Sequence, residues 1–545
     1  MGGIDVSGDN KALLLQARRA EVRRRWRRVI FCSDSDLLYH PRANTVEGFL
    51  GARFEPLADS QVTTISWCAI ATLITYKSKI RQPYWDGVVD SPTEDFAPMI
   101  KNAKALFEAG HCPLRIVTEF AHEHGMEIFG KVRMNDVHDS FYPLMSKWKH
   151  DHRELRVSQK GKQTHKSIFE PTFPGSSVAN LYVTALDYSH QAVRDYMFSL
   201  IEEMCQGYDL DGVELDFIRH PVLFKNTFEG HPATEDEIEI MTSFLRRIRT
   251  CMDEVAVRRG RPMLLAVRGL DSFSLSLKMG LDLQTWLKEG IIDILIAGGY
   301  APFSQPVEEL AKAAHSYGVP LYPCINPGGV LSDIAEGRFL EYVRALMSKW
   351  YAAGADGVYF FNLGSFFVPL FGDEKAWRSS CREWYRCLYE VGDPQAIQKK
   401  NKLYSAAKPV LSLYAFVSSE ADLPLELEED IVRQVPLEIG DDVEAIMHEG
   451  TLVTSELELD IKGPIQDVQL LVRLNGIPLS SSERVSSHSG ESGTTMLKYS
   501  VNVPPLRKGR NMVEISLARG GTSSTKSVTV SGLRLHITFP EADGG

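Results

Sequence analysis

The chain has 545 residues, 44% of them hydrophobic and 24% charged, which allows two or more domains and excludes wholesale disorder. Its formal net charge of −11 gives no support to nucleic-acid binding. No apolar run reaches the length of about 18 residues that a membrane-spanning helix needs.

The N-terminal stretch "RRAEVRRRWRR" places seven arginines between Arg18 and Arg28. It predicts a basic helix within residues 1–27, solvated and leading into the first strand rather than forming a polyanion site. The opening "MGGIDVSGDNKALLLQARRA" has no secretory apolar region, and Val6 stands where a myristoylation signal wants Ser or Thr. The expectation is a cytoplasmic protein, or a secreted one if a leader has been removed. The eight cysteines include no CxxC pair, so neither a zinc site nor a redox motif is signalled. Cys32, Cys68 and Cys324 sit in apolar runs, as small hydrophobes do.

Short apolar strands then alternate with amphipathic helices. The strands read as "RVIFCSD" (28–34), "VTTISWC" (62–68), "MEIFGKVRM" (126–134), "LDGVELDF" (210–217), "MLLAVRG" (263–269), "IIDILIAGG" (291–299), "VPLYPCIN" (319–326) and "ADGVYFFN" (355–362). Helical patterns lie between them at 189–206, 235–260, 306–318 and 337–354, several ending at Gly. Nearly wholly apolar strands separated by helices indicate a parallel sheet covered by helices. Eight such units predict an α/β fold, a (β/α)8 TIM barrel over 28–395. No glycine-rich phosphate loop follows any strand. From 405 to 545 the pattern has period two, broken by Gly, Ser and Pro, and "LNGIPL" carries an Asn-Gly hairpin signal. This predicts an antiparallel β-sandwich, with the serine-rich 479–493 as a mobile loop.

Active sites of such barrels lie where the C-terminal strand ends converge. Those ends carry Asp34 and Asp36, Trp67, then Arg133, Asp136 and His138, then Glu214, Asp216 and Arg219, then Arg268, Tyr300, Asn326 and Asn362. Side chains two apart share a strand face, so Glu214 and Asp216 point together. Carboxylates on different strands can bracket a sugar ring, one protonating the leaving oxygen and the other activating water or attacking. Asp136, two residues before His138, can orient the imidazole and keep it basic. Trp67 and Tyr300, with Tyr359 and Phe361, offer stacking faces. Three arginines, Arg133, Arg219 and Arg268, gather at one rim, which fits a substrate carboxylate or sulfate unless each pairs with a neighbouring acid. The HxH that opens the metal constellation of barrel amidohydrolases is absent from strand one, so no metal and no cofactor are expected.

"DLDGVELDFIRHP", preceded by "ALDYSHQAVRDYM", resembles the family-10-like (β/α)8 glycoside hydrolases, as does "LDLQTWLKEGIIDILIAGGY". Within that group the chain is similar to the inverting exo-sialidases of glycoside hydrolase family 156, which join such a barrel to a β-sandwich. The resemblance implies an Asp at the end of strand one (Asp34 preferred to Asp36) and the pair Asp136 and His138 after strand three. Arg133 would lie beside them and Asn362 on strand eight. It implies His138 as the base that activates water and Asp34 as the acid, or the two exchanged. Arg133, with Arg219 or Arg268, would hold the carboxylate of a terminal acidic sugar on a glycan. Two alternatives stand: a neutral-sugar glycosidase with Glu214 and Asp216 as its carboxylate pair, and a catalytically inactive carbohydrate-binding barrel. No nucleic-acid or membrane partner is expected, and a homodimer is possible.

Overall fold

The computed structural model describes residues 8–34, 38, 40–71, 74–81, 97–140, 146–158, 182–298, 307–326, 337–363, 384–407, 421–451, 453–463, 470–486, 494–501, 506–517 and 528–540. Eight parallel strands close a barrel in sequence order: β1 (Val29–Ser33), β2 (Val62–Ile70), β3 (Glu127–Arg133), β4 (Gly212–Asp216), β5 (Leu264–Gly269), β6 (Ile294–Ala297), β7 (Leu321–Ile325) and β8 (Val358–Phe361). β8 pairs with β1, Phe361 lying against Cys32. These are the strands the apolar runs predict, and almost every strand residue is buried.

Alternation sorts each strand into two cores. Outward residues such as Val213, Leu215, Ile128 and Val132 join the large cluster under the helices. Inward residues, among them Ile30, Phe129, Leu264, Ile296, Tyr322 and Phe361, fill the lumen. The long helix Glu235–Arg259 opens with a capping box between Thr234 and Glu237 and stops at Gly260, whose φ is 72°. At the N-terminal end of the barrel Asp211 accepts from the Ile128 amide at 3.0 Å and pairs with Arg261 at 2.9 Å, so it ties strands together far from the rim.

The basic N-terminal segment forms the helix Gly8–Arg23 and is less solvated than its composition suggests. Arg19 pairs with buried Asp293 at 2.8 Å. Arg27 is 1% exposed, binds Glu127 at 2.6 Å and donates to the carbonyls of Val22, Arg23 and Arg25. Two of the arginines therefore fasten the helix to the barrel, while Arg18, Arg24 and Arg25 stay exposed.

The C-terminal strands are β9 (Lys402–Ser405), β10 (Leu425–Leu427), β11 (Arg433–Ile439), β12 (Thr454–Lys462), β13 (Leu470–Leu474), β14 (Ile477–Pro478), β15 (Ser481–Ser486), β16 (Thr494–Val501), β17 (Gly509–Leu517) and β18 (Val528–Thr538). They form antiparallel sheets in the orders β10-β18-β12-β16-β15, with β9 on β18, and β11-β17-β13-β14. One apolar core draws on both sheets. The Asn-Gly signal is realised in the β13–β14 hairpin, with φ of 51° at Asn475 and 82° at Gly476. The serine-rich segment departs from its expectation: 481–486 form edge strand β15, paired with β16. Backbone pairing there does not depend on apolar side chains. The rest of that segment, 487–493, lies outside the described residues.

The sandwich seats on helix Phe339–Ala352. Ala345 lies in the sandwich core, Arg338 pairs with Glu458 at 3.3 Å, and Glu341 meets His536 at 3.2 Å. A Cβ at Gly440 would stand 2.2 Å from the Ser348 carbonyl carbon, so the close approach needs glycine. Among the described residues no helix is long and apolar enough to cross a membrane.

Candidate active site

Inward alternation on β3 brings Lys131 and Arg133 to the lumen one above the other, and on β4 it does the same for Glu214 and Asp216. Register then decides what meets what. Arg133 lies opposite Asp216, and Asp216 opposite Arg268. Closure of β8 on β1 sets Asn362 beside Asp34. Asn362 Nδ2 donates to Asp34 Oδ2 at 2.6 Å, and the Asp34 amide donates to Asn362 Oδ1 at 2.9 Å. Asn362 has a φ of 52°, a left-handed conformation that asparagine tolerates better than most residues.

A continuous chain of charge runs through the site. Lys131 Nζ reaches Asp34 Oδ1 and Asp216 Oδ2, both at 2.9 Å. Arg133 bridges Asp34 through Nη2 and Asp136 through Nη1, the latter at 2.6 Å. His138 Nδ1 lies 2.7 Å from Asp136 Oδ1, and Arg219 Nη2 lies 2.9 Å from His138 Nε2. These partners fix the imidazole. A carboxylate only accepts, so Nδ1 carries the hydrogen; a guanidinium only donates, so Nε2 offers a lone pair. Arg133 Nη1 lies 3.3 Å from Nδ1 but donates to Asp136 at 2.6 Å, because a protonated Nδ1 offers it no lone pair.

The electrostatics agree. Burial lowers His138 proton affinity; Asp136 works against this and Arg219 reinforces it, leaving the imidazole below its ordinary value and neutral. Burial alone would raise the Asp34 carboxyl, but Arg133, Lys131 and Arg219 hold it far below the usual carboxylate range. Asp136 is depressed by His138 and Arg133 despite burial. Asp216 is likewise depressed by Lys131 and Arg268. Lys131, stripped of water, is raised by Asp216 and Asp34. Glu214 moves the other way: burial raises it more than Lys131 lowers it. The site thus sets four cations against three firmly ionised aspartates.

Depth separates the predicted residues. His138 keeps 23% of its side chain exposed and Arg133 9%, and Asp34, Asp136, Asn362 and half-buried Arg219 surround them. Asp216 and Arg268 have no exposed side-chain surface. Arg268 binds Asp216 at 3.2 Å and its guanidinium lies 4.3 Å from the Phe361 ring centroid. Glu214 accepts from the Ser66 hydroxyl and from Tyr359 OH, the latter at 2.8 Å. These three form the floor beneath the site, which corrects the expectation that Arg268 contacts the substrate. Glu214 and Asp216 are each only 1% exposed, so their placement gives no support to the direct catalytic roles expected of them. Tyr359 and Phe361 are lumen core, not stacking faces.

Trp67 is corrected more sharply. Ser66 is the inward residue of β2, so Trp67 points outward, fully buried against Phe49 and Phe54, with its Nε1 donating to Thr75 Oγ1 at 3.0 Å. Trp67→Ala is expected to cost about 3–5 kcal/mol of stability without changing KM. A thermal melt beside a saturation curve checks this, and a KM effect at intact stability would contradict the outward placement. Asn326 is buried at the end of β7. Asp36 and Tyr300 lie outside the described residues.

Sequence reasoning missed Lys131 and His220. Lys131 precedes Arg133 by two residues, so its inward face was readable. His220 lies edge-on to His138 with ring centroids 5.0 Å apart, and its Nδ1 accepts from the Val137 amide at 3.3 Å. Burial and Arg219 push its proton affinity well down. Asp136, His138 and His220 bring possible ligand atoms within 4.8 Å of one another. The donor set fits a cation poorly, because Asp136 and both His138 nitrogens are committed to hydrogen bonds and two guanidinium groups adjoin them.

No protein-family model matches the chain, and no curated protein does. Solved structures of similar outline include a cycloisomaltooligosaccharide glucanotransferase from a Paenibacillus species at 10% identity and TM-score 0.33, matched over 93% of this chain and 57% of that one. A family GH18 chitinase from Chromobacterium violaceum matches at 11% identity and TM-score 0.36, over 92% and 91% of the two chains. A maltogenic α-amylase from Thermotoga neapolitana matches at 11% and 0.34, over 93% and 98%. Scores this low add nothing to the barrel seen directly in the strand order.

Proposed function

We propose that the protein is a glycoside hydrolase, an inverting exo-sialidase that releases a terminal sialic acid from glycans. The observation that carries this is the rim itself: Arg133 and Arg219 flank the Asp136–His138 pair, with Asp34 on the far side of Arg133. The excess of cations suits a sugar carrying a carboxylate at its anomeric carbon. His138, held neutral with Nδ1–H on Asp136, is a base for water. Asp34, ionised in the free enzyme, takes up a proton when the incoming substrate carboxylate partly neutralises the surrounding cations and raises its proton affinity. It passes that proton to the leaving oxygen. The sequence resemblance to the family 156 sialidases points to the same residues. The neutral-glycosidase reading is disfavoured by the depth of Glu214 and Asp216.

Hydrolysis of a fluorogenic α-sialoside followed by proton NMR tests this. A β-configured first product is expected. An α-configured first product overturns inversion, and hydrolysis of neutral aryl glycosides alone overturns the choice of substrate.

A further inference from the structure

We propose that Arg219 latches the base His138, and that the carboxylate of the sugar substrate releases it, so that Arg219 sets specificity for acidic sugars. This rests on the sialidase reading above and deepens it. His138 has two nitrogens, and Nδ1 is committed to Asp136. The working lone pair is therefore on Nε2, and Arg219 Nη2 donates to it at 2.9 Å. A lone pair already accepting from a guanidinium takes no proton from water. The two roles required of this corner, binding a carboxylate and freeing a base, thus compete for one contact.

The competition has a direction. Arg133 is held by two carboxylates, Asp34 and Asp136, and is costly to move. Arg219 Nη2 donates to a neutral imidazole through a single bond, whereas a substrate carboxylate offers the guanidinium a charged acceptor and two parallel bonds. Its backbone N–H donates to Asp216 Oδ1 at 3.1 Å, which fixes the root from which the side chain reaches either acceptor. A neutral sugar offers nothing to draw Arg219 away and leaves His138 latched. An acidic sugar takes the guanidinium and uncovers the base. Among the described residues the charged and titratable groups around His138 include Asp136 and Arg133 from the β3 side and Arg219 and His220 from the segment after β4.

The test is NMR of the full chain carrying 13C-labelled histidine, with the His138 signal identified by its loss in His138→Gln. N-acetylneuraminic acid serves as the probe and calorimetry reports its binding. Arg219→Gln is expected to raise the His138 titration midpoint by about one pH unit or more. The probe should raise the wild-type midpoint similarly and add little in Arg219→Gln, while galactose leaves it unmoved. Should the glutamine variant fail to fold, Arg219→Lys reads the same contact, and the probe should then move its midpoint less than the wild-type one. Equal midpoints in wild type and Arg219→Gln overturn the latch. Calorimetric binding of the probe with an unmoved wild-type midpoint also overturns the latch and leaves the sialidase reading standing. Absence of binding overturns that reading and the latch with it.

Discussion

Asp34→Asn is expected to lower kcat/KM for an aryl sialoside by about 10³-fold, within the range for loss of a positioned acid or base. Asparagine keeps the size and one acceptor for Lys131 and Asn362, but it carries no transferable proton. The variant should also stay folded, because Lys131 and Arg133 keep Asp216 and Asp136 as partners; a thermal melt checks this beside the kinetics. His138→Ala should fall by a similar factor. The pH profile gives a sharper reading. His138 must be neutral and Asp34 protonated, and Asp34 titrates far below His138. The active form of the free enzyme therefore keeps its one proton on Asp34, and kcat/KM falls as pH rises through the His138 titration. Since burial and Arg219 hold that titration below its ordinary value, the alkaline limb of kcat/KM should set in below about pH 6.5. Near-full activity in Asp34→Asn and His138→Ala, with loss in Glu214→Gln or Asp216→Asn, would transfer the chemistry to the lower layer and end this scheme.

The barrel was legible because a parallel strand buried on both faces reads as an unbroken apolar run, and its helices carry their own stops. Gly260 at φ 72° and Gly354 at φ 94° end helices where the sequence placed ends. The rim was legible as a set of residue types but not as depths. Trp67 illustrates the reason: one step of alternation sends Ser66 to the lumen and Trp67 to the helices, and an apolar run does not reveal its own phase. Arg268 was given the right direction and the wrong layer, because strand ends differ in height around a sheared barrel. The Asp34–Asn362 exchange joins residues 328 apart in sequence and exists only through closure of β8 on β1. The Arg219–His138 contact depends on a rotamer after β4 that no periodicity encodes.

Lys131→Met is expected to destabilise the fold by about 3–5 kcal/mol, the usual cost of leaving buried charges without their partner. Lys131 has no exposed side-chain surface and touches two aspartates, while Glu214 lies opposite it on β4. Methionine nearly matches its volume, so the loss is one of charge rather than packing. The sign of the pH dependence follows from the partners. Asp34 and Asp216 have folded-state affinities below an unfolded value of about 3.9. In the wild type they contribute stability that is fully present above that value and is lost as pH falls through the folded titration. Without Lys131, burial works against Asp34 with Arg133 and Arg219 alone, and against Asp216 with Arg268, so both titrations move upward. Part of the aspartate contribution at neutral pH then disappears, and protonation relieves the uncompensated charge as the medium is acidified. The gap in melting temperature between wild type and variant should therefore be widest near pH 7.5 and narrow toward pH 5. A gap that is constant or widens on acidification would show that Lys131 supports the barrel by packing, and that Asp34 draws its ionisation from the arginines.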